Sequence, residues 1–120
     1  MKGIAIGFSD TSKEILKRLK KTEFINEIYI GSSSKKDKNI KGSIEFVKPK
    51  QILSEKWDKV DLIIFVGSIG ASIRLISSLL SFKDKDPGVI VIDKKGLKIV
   101  PIIGSHQSNV QNIAFQICNL

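Results

Sequence analysis

The chain has 120 residues, 42% of them hydrophobic and 27% charged, with 20 basic side chains against 12 acidic ones and a net charge of +8. A chain of this length forms one domain whose core needs no disulfide or metal, and a single cysteine, Cys118, excludes a disulfide framework or a multi-cysteine zinc site. No apolar run reaches the roughly eighteen residues of a membrane helix, and Met1-Lys2-Gly3 leads straight into a strand pattern rather than a signal peptide. A soluble, cytoplasmic, basic domain covering residues 1–120 is expected.

In chain order, Lys2 to Phe8 is short, apolar and bounded by glycine, as a buried first strand should be. Thr11-Ser12-Lys13-Glu14 has the spacing of a capping box, and Ile15, Leu16 and Leu19 recur at helical spacing behind it. Glu27 to Gly31 reads as the second strand. Ser32 to Lys41 is polar and cationic, a loop. Ser43 to Val47 alternates as a short third strand, and Pro49 precedes a helix around Gln51 to Trp57. Val60 to Gly67 is the continuous apolar run of a central parallel strand.

Gly67-Ser68-Ile69-Gly70 then turns the chain into a helix from Ala71 to Leu80, with apolar positions at Ile73, Ile76, Leu79 and Leu80. Val89 to Asp93, Lys94-Lys95-Gly96 and Leu97 to Ile103 read as a hairpin with a three-residue turn. Pro101 puts its returning strand at an edge or bulge. Gly104-Ser105-His106 opens a last helix carrying Val110, Ile113, Ala114 and Ile117. The alternation of strand and helix predicts an α/β fold: a three-layer sandwich around a mostly parallel, Rossmann-like sheet, with the hairpin strand at its edge.

The charge is uneven. Residues 1–60 carry 14 basic and 8 acidic side chains; residues 61–120 carry 6 and 4. Eighteen of the cations are lysines, the only arginines being Arg18 and Arg74. Arginine is the residue suited to bidentate recognition of phosphates and bases, and the lysines lack interleaved aromatics, so nucleic-acid binding ranks last. A solvated lysine surface is the plain explanation; attraction to a polyanionic small molecule is the functional one.

Two places hold residues with chemical potential. At Gly67-Ser68-Ile69-Gly70 a strand meets a helix start, whose glycines admit a ligand and whose amides attract anions. Neither a phosphate-binding Walker loop nor a dinucleotide fingerprint is present. Arg74 lies one turn further and can lean back towards that mouth, or can equally be a solvated or Asp-paired cation. His106, next to Ser105, titrates near neutral pH and suits acid/base work or binding of a carboxylate. A structural or simply exposed histidine is the competing account. One histidine and one cysteine make no metal cage. Cys118 is expected to pack in the core or an interface.

Gly70-Ala71, Ile73-Arg74-Leu75-Ile76, Leu79-Leu80, Lys83, Asp86-Pro87, Val89-Ile90-Val91-Ile92-Asp93, Gly96 and Gly104-Ser105-His106 follow one another in the order of a known motif. They resemble the G-x-A-V-R-L-I-x-P-L-L…K-x-x-D-P-A-V-V-V-V-D-x-x-G-x-x-V-I-x-L-L-S-G-H block of the cobalamin biosynthesis protein G (CbiG) family, over residues 67 to about 114. The resemblance implies hydrolysis of cobalt-precorrin-5A, in which a δ-lactone on the macrocycle opens and acetaldehyde leaves. Cobalt then enters only as part of the substrate, and no further cofactor is implied.

On that account Arg74 and the Gly67, Ser68 and Gly70 segment would hold substrate carboxylates or a developing oxyanion. His106, with Ser105, would act as acid/base or substrate ligand, and Asp93 would orient a partner group. The implied partners are the cobalt-corrinoid intermediate and a CbiG C-terminal domain or another cobalamin-pathway enzyme, with a homodimer through exposed Ile113, Ala114 and Ile117 as a further expectation. The alternative is a non-catalytic domain that binds an anionic tetrapyrrole or docks a partner subunit.

Three departures stand out. Ser-Gly-His becomes Gly104-Ser105-His106, the following Gly-Gly-Ala-Asn falls on Ser108, Asn109, Val110 and Gln111, and the proline of the arginine helix becomes Ser77. An antiparallel return of the hairpin would also separate the two places, with Asp93 near Gly70 and Arg74 and His106 near Asp86 and Pro87. Ligands in open α/β sheets favour the carboxyl ends of the parallel strands, hence the Gly70/Arg74 end.

Overall fold

The structure is a computed structural model that describes residues 1–31, 44–81, 86–93, 98–104 and 109–119. Strands β1 (Gly3–Gly7), β2 (Glu27–Gly31), β3 (Glu45–Val47), β4 (Leu62–Val66), β5 (Gly88–Ile92) and β6 (Ile99–Ile103) form one sheet in the order β3-β2-β1-β4-β5-β6. The first five pair in parallel and β6 returns antiparallel along β5. Helices α1 (Lys13–Lys20), α2 (Pro49–Lys56), α3 (Ile69–Ile76) and α4 (Val110–Ile117) complete the molecule.

Strand direction and chirality dictate the layers. The β1-to-β2 crossover runs one way along the sheet, and the β3-to-β4 and β4-to-β5 crossovers run the other way. Parallel crossovers are right-handed, so α1 falls on one face and α2 and α3 on the other. After the antiparallel return of β6, α4 packs on the α1 face. Leu16 and Leu19 of α1 and Val110, Ile113 and Ile117 of α4 bury one face with Ala5, Ile28, Ile64 and Ile90. Ile52, Leu53 and Trp57, of and just after α2, and Ile76 of α3 bury the other with Ile4, Ile6, Ile63, Phe65 and Val91. The fold is thus a three-layer α/β sandwich with a mostly parallel sheet. β1, β4 and β5 are buried along their whole length, which is why they read as unbroken apolar runs rather than alternating ones.

Pro101 lies in the edge strand β6, opposite Ile90, where the β5–β6 register shifts. A residue without an N–H costs the sheet least there. Among the described residues no helix is long and apolar enough to cross a membrane. The lysine-rich stretch Ser32 to Lys41 and the turn Lys94-Lys95-Gly96 lie outside the described residues.

Several expectations are corrected. The capping box does not form: a short 3₁₀ turn, Asp10–Ser12, precedes α1, the Thr11 hydroxyl pairs with Ser9 Oγ at 2.7 Å, and Ser12 donates to the Ser9 carbonyl. The expected helix at Ala71–Leu80 runs instead from Ile69 to Ile76, because Ser68 supplies the cap and the chain leaves helical pairing after Ser77, whose hydroxyl donates to the Arg74 carbonyl. Ile73 points to solvent while Ser72 is fully buried. On α4, Ile113, Ala114 and Ile117 are core residues rather than an exposed dimer face, since α4 folds back over β5 and β6; Phe115 is the exposed apolar residue instead. Cys118, expected in the core or an interface, is not in the core but exposed.

The last helix starts at Val110, not at Gly104. Asn109 before it has φ 51° and ψ 49°, the left-handed region. Asparagine tolerates that conformation best after glycine.

Candidate functional site at the carboxyl edge of the sheet

The strand order reverses between β1 and β4, and that is where open α/β sheets form a crevice above their carboxyl ends. From β1 the chain leaves through Phe8 and Ser9 into the 3₁₀ turn; from β4 it leaves through Gly67 and Ser68 into α3. Phe8 N–H donates to the Val66 carbonyl at 3.1 Å, and Gly67 N–H to the Ile92 carbonyl at 2.9 Å, so the sheet ladder continues up to this edge. The Phe8 ring stacks on Phe65 with centroids 5.6 Å apart. It occupies the space where a side chain at Gly67 would project, so packing alone demands that glycine.

Ser68 is the N-cap of α3. Its hydroxyl accepts from Ala71 N–H at 3.1 Å, and its carbonyl receives both the Ser72 N–H and the Ser72 hydroxyl. Backbone geometry leaves the N–H groups of Ile69 and Gly70, ahead of the first helical hydrogen bond, facing outward at the positive end of the helix dipole. Gly70 and Arg74, four residues apart, share the exposed face of α3. Arg74 makes no ion pair among the described residues.

Asp93 follows β5 on the same edge, half-buried, its N–H bonded to the Lys98 carbonyl at 3.0 Å across the hairpin. Gly67, Ser68, Gly70, Arg74 and Asp93 therefore lie along one edge on adjacent elements. Gly104 does not: β6 ends beside Val89, at the amino end of β5. Ser105 and His106, which follow it, lie outside the described residues. Among those that are described, no three metal-binding side chains converge.

Sequence reasoning missed the β1 side of the crevice, Phe8, Ser9, Asp10 and Thr11. Ser9 and Thr11 pair through their hydroxyls, and Asp10 meets Lys13 at 3.5 Å. The available signal was the Gly7-Phe8-Ser9 exit from a buried strand, which becomes a site indicator only once β1 is known to neighbour β4. Asp86 is reassigned as well. The carboxylate of this motif residue is buried and accepts from Trp57 Nε1 at 3.3 Å, from the Ser81 hydroxyl at 2.8 Å and from Ser81 N–H, an arrangement that ties the ends of α2 and α3 to the start of β5.

Comparison with known proteins bears on this edge. The cobalamin synthesis G N-terminal family matches residues 51–120, from α2 to the end of the chain. A cobalt-precorrin-5A hydrolase from Priestia megaterium is 34% identical over 65 residues, which is 54% of this chain and 16% of that protein. The Salmonella typhimurium protein of the same name is 34% identical over 44 residues, 37% of this chain and 12% of its own length. The matched segments are thus a small part of those relatives. A cobalamin biosynthesis protein G homolog from Sulfolobus solfataricus has the same fold, with a TM-score of 0.61 at 21% identity, over 97% of this chain and 32% of that one. Because the family match takes in more than half of the residues and includes α3, Asp86 and β5, this chain belongs to the cobalamin synthesis G N-terminal (CbiG) family.

Proposed function

We propose that this chain provides the N-terminal α/β unit of a cobalt-precorrin-5A hydrolase, acting on the cobalt-corrinoid with a CbiG C-terminal domain or another cobalamin-pathway enzyme. The supporting observation is the family match over residues 51–120, which takes in α3 and β5, beside 34% identity to proteins of that name, at an edge where helix amides and Arg74 face outward. Arg74 would hold a substrate carboxylate by paired hydrogen bonds. The Ile69 and Gly70 amides would stabilise the oxyanion that develops as water opens the δ-lactone. Asp93 would orient a neighbouring group.

The test is release of acetaldehyde from cobalt-precorrin-5A, with the remaining domains supplied from a relative. Release that falls at least about tenfold in Arg74→Ala supports the reading. No release with the intact chain, or release indifferent to Arg74→Ala, overturns the catalytic role. A second reading, binding of an anionic tetrapyrrole without turnover, draws on the position of Gly104. The single histidine lies two residues beyond it, and Gly104 stands at the edge opposite Arg74. Saturable binding with no acetaldehyde would favour this second reading.

A further inference from the structure

Gly70 has no reason within the described molecule to be a glycine. Its backbone is helical, its φ lies outside the left-handed region, and a Cβ built on it meets no described atom within 4 Å. Glycine weakens a helix relative to alanine. Gly67 and Gly31 differ, since side chains there would strike the rings of Phe8 and Pro49. What the missing Cβ at Gly70 provides is bare helical backbone, open to the outside.

The surroundings of that opening are unusual for a solvated helix face. Ile69, just before it, is 38% exposed, and Ile73, three residues on, is 45% exposed. Among the described residues only Met1 and Phe115 are also large, apolar and exposed. Arg74 lies beside Ile73 on the same face. Flat backbone, two isoleucines and a guanidinium thus form a short apolar shelf with a cation at its rim.

The size of this shelf selects its occupant. A stable protein interface takes about 20–30 residues a side, and two isoleucines on an eight-residue helix fall far short of that. They match one face of a single flat ring system. The charge matches too: acid groups at the ring's periphery would meet Arg74 on a chain whose net charge is +8.

We propose that the outer face of α3, comprising Ile69, Gly70, Ile73 and Arg74, is a stacking shelf for a planar, carboxylate-bearing macrocycle, whose ring lies directly on the Gly70 backbone. The proposal rests on the reading that a tetrapyrrole acid binds at this edge. It adds that the ring lies along the side of the helix, not over its amino end, and that Gly70 sets the clearance.

Uroporphyrin III, a planar polycarboxylate porphyrin, is a suitable probe, titrated into the full chain at physiological salt and followed by its absorbance. Gly70→Leu should weaken binding at least about tenfold by steric exclusion, while its circular dichroism stays unchanged. Gly70→Ala should weaken binding less and melt at the same temperature as the parent or higher, which separates loss of binding from loss of fold. Ile73→Ser should weaken binding by loss of apolar contact. If the parent chain binds and Gly70→Leu binds equally well, the shelf is overturned and the tetrapyrrole reading stands. If the parent chain does not bind, both fall.

Discussion

The two edges of the sheet handle polar groups in opposite ways. At the amino edge several polar side chains are matched to another part of the fold. Asp61 accepts from Lys2 N–H at 2.8 Å, Asn26 from Gly3 N–H at 3.0 Å, Asp86 from Trp57 and Ser81, and Glu27 from Tyr29 at 2.6 Å and Lys56 at 3.2 Å. At the carboxyl edge the serines bond to their own turns, Ser68 to α3 and Ser9 to Thr11. The Ile69 and Gly70 amides, the space above Gly70 and Arg74 face outward. One edge is tied together by side-chain hydrogen bonds; at the other these groups face outward. The same parallel topology underlies both, because it gathers strand starts at one edge and strand ends, with the helix amino termini, at the other.

Substitutions should divide along that line. The largest effect belongs to Asp86→Ala, which leaves the buried Trp57 indole N–H and the Ser81 donors without their shared acceptor. A loss of about 2–4 kcal/mol is expected, read by urea unfolding, with Asp86→Asn milder because one acceptor oxygen survives. An Asp86→Ala protein as stable as the parent would mean that these bonds do not tie the amino edge together. Gly70→Ala should stabilise by about 0.4–1 kcal/mol, since no described atom crowds the new methyl group; a clear loss would reveal an internal reason for the glycine. Arg74→Ala should change stability by no more than about 0.5 kcal/mol while weakening binding of the macrocycle, the reverse of the Asp86 pattern.

The smallest effect is at Glu27. The Tyr29 hydroxyl, assisted by Lys56, holds its carboxyl below the ordinary range. A depressed folded-state pKa adds stability above the unfolded value and withdraws it as pH falls through the folded one. Melting temperatures should therefore show Glu27→Gln below the parent at neutral pH, with the gap closing as pH drops under about 4. A gap that persists in acid would assign the effect to packing instead.

Much of this contrast was legible in the sequence. The runs Gly3–Gly7, Leu62–Val66 and Gly88–Ile92 announce buried parallel strands because both of their faces are covered. The antiparallel return of β6 separates the Gly104 end from the Arg74 end. Helix limits were less legible, because hydroxyls decide them locally. Ser9 and Thr11 bond to each other and displace the capping box, and Ser68 caps α3 earlier than its apolar spacing suggests. Ile73 was misread for a related reason. Ser72 returns its hydroxyl to the Ser68 carbonyl, so this small residue can turn inward, and Ile73 is carried outward. The β1 side of the crevice stayed hidden because the neighbourhood of β1 and β4 is set by tertiary order rather than by local pattern.

The most direct measurement is an amide NMR map of the isotopically labelled chain during titration with metal-free uroporphyrin III. The account predicts that shift changes gather at the carboxyl edge, in Phe8–Thr11 and Ser68–Arg74, and leave Asp61 and Asp86–Gly88 unmoved. Changes centred on the amino edge, or spread evenly over the lysines, would contradict it.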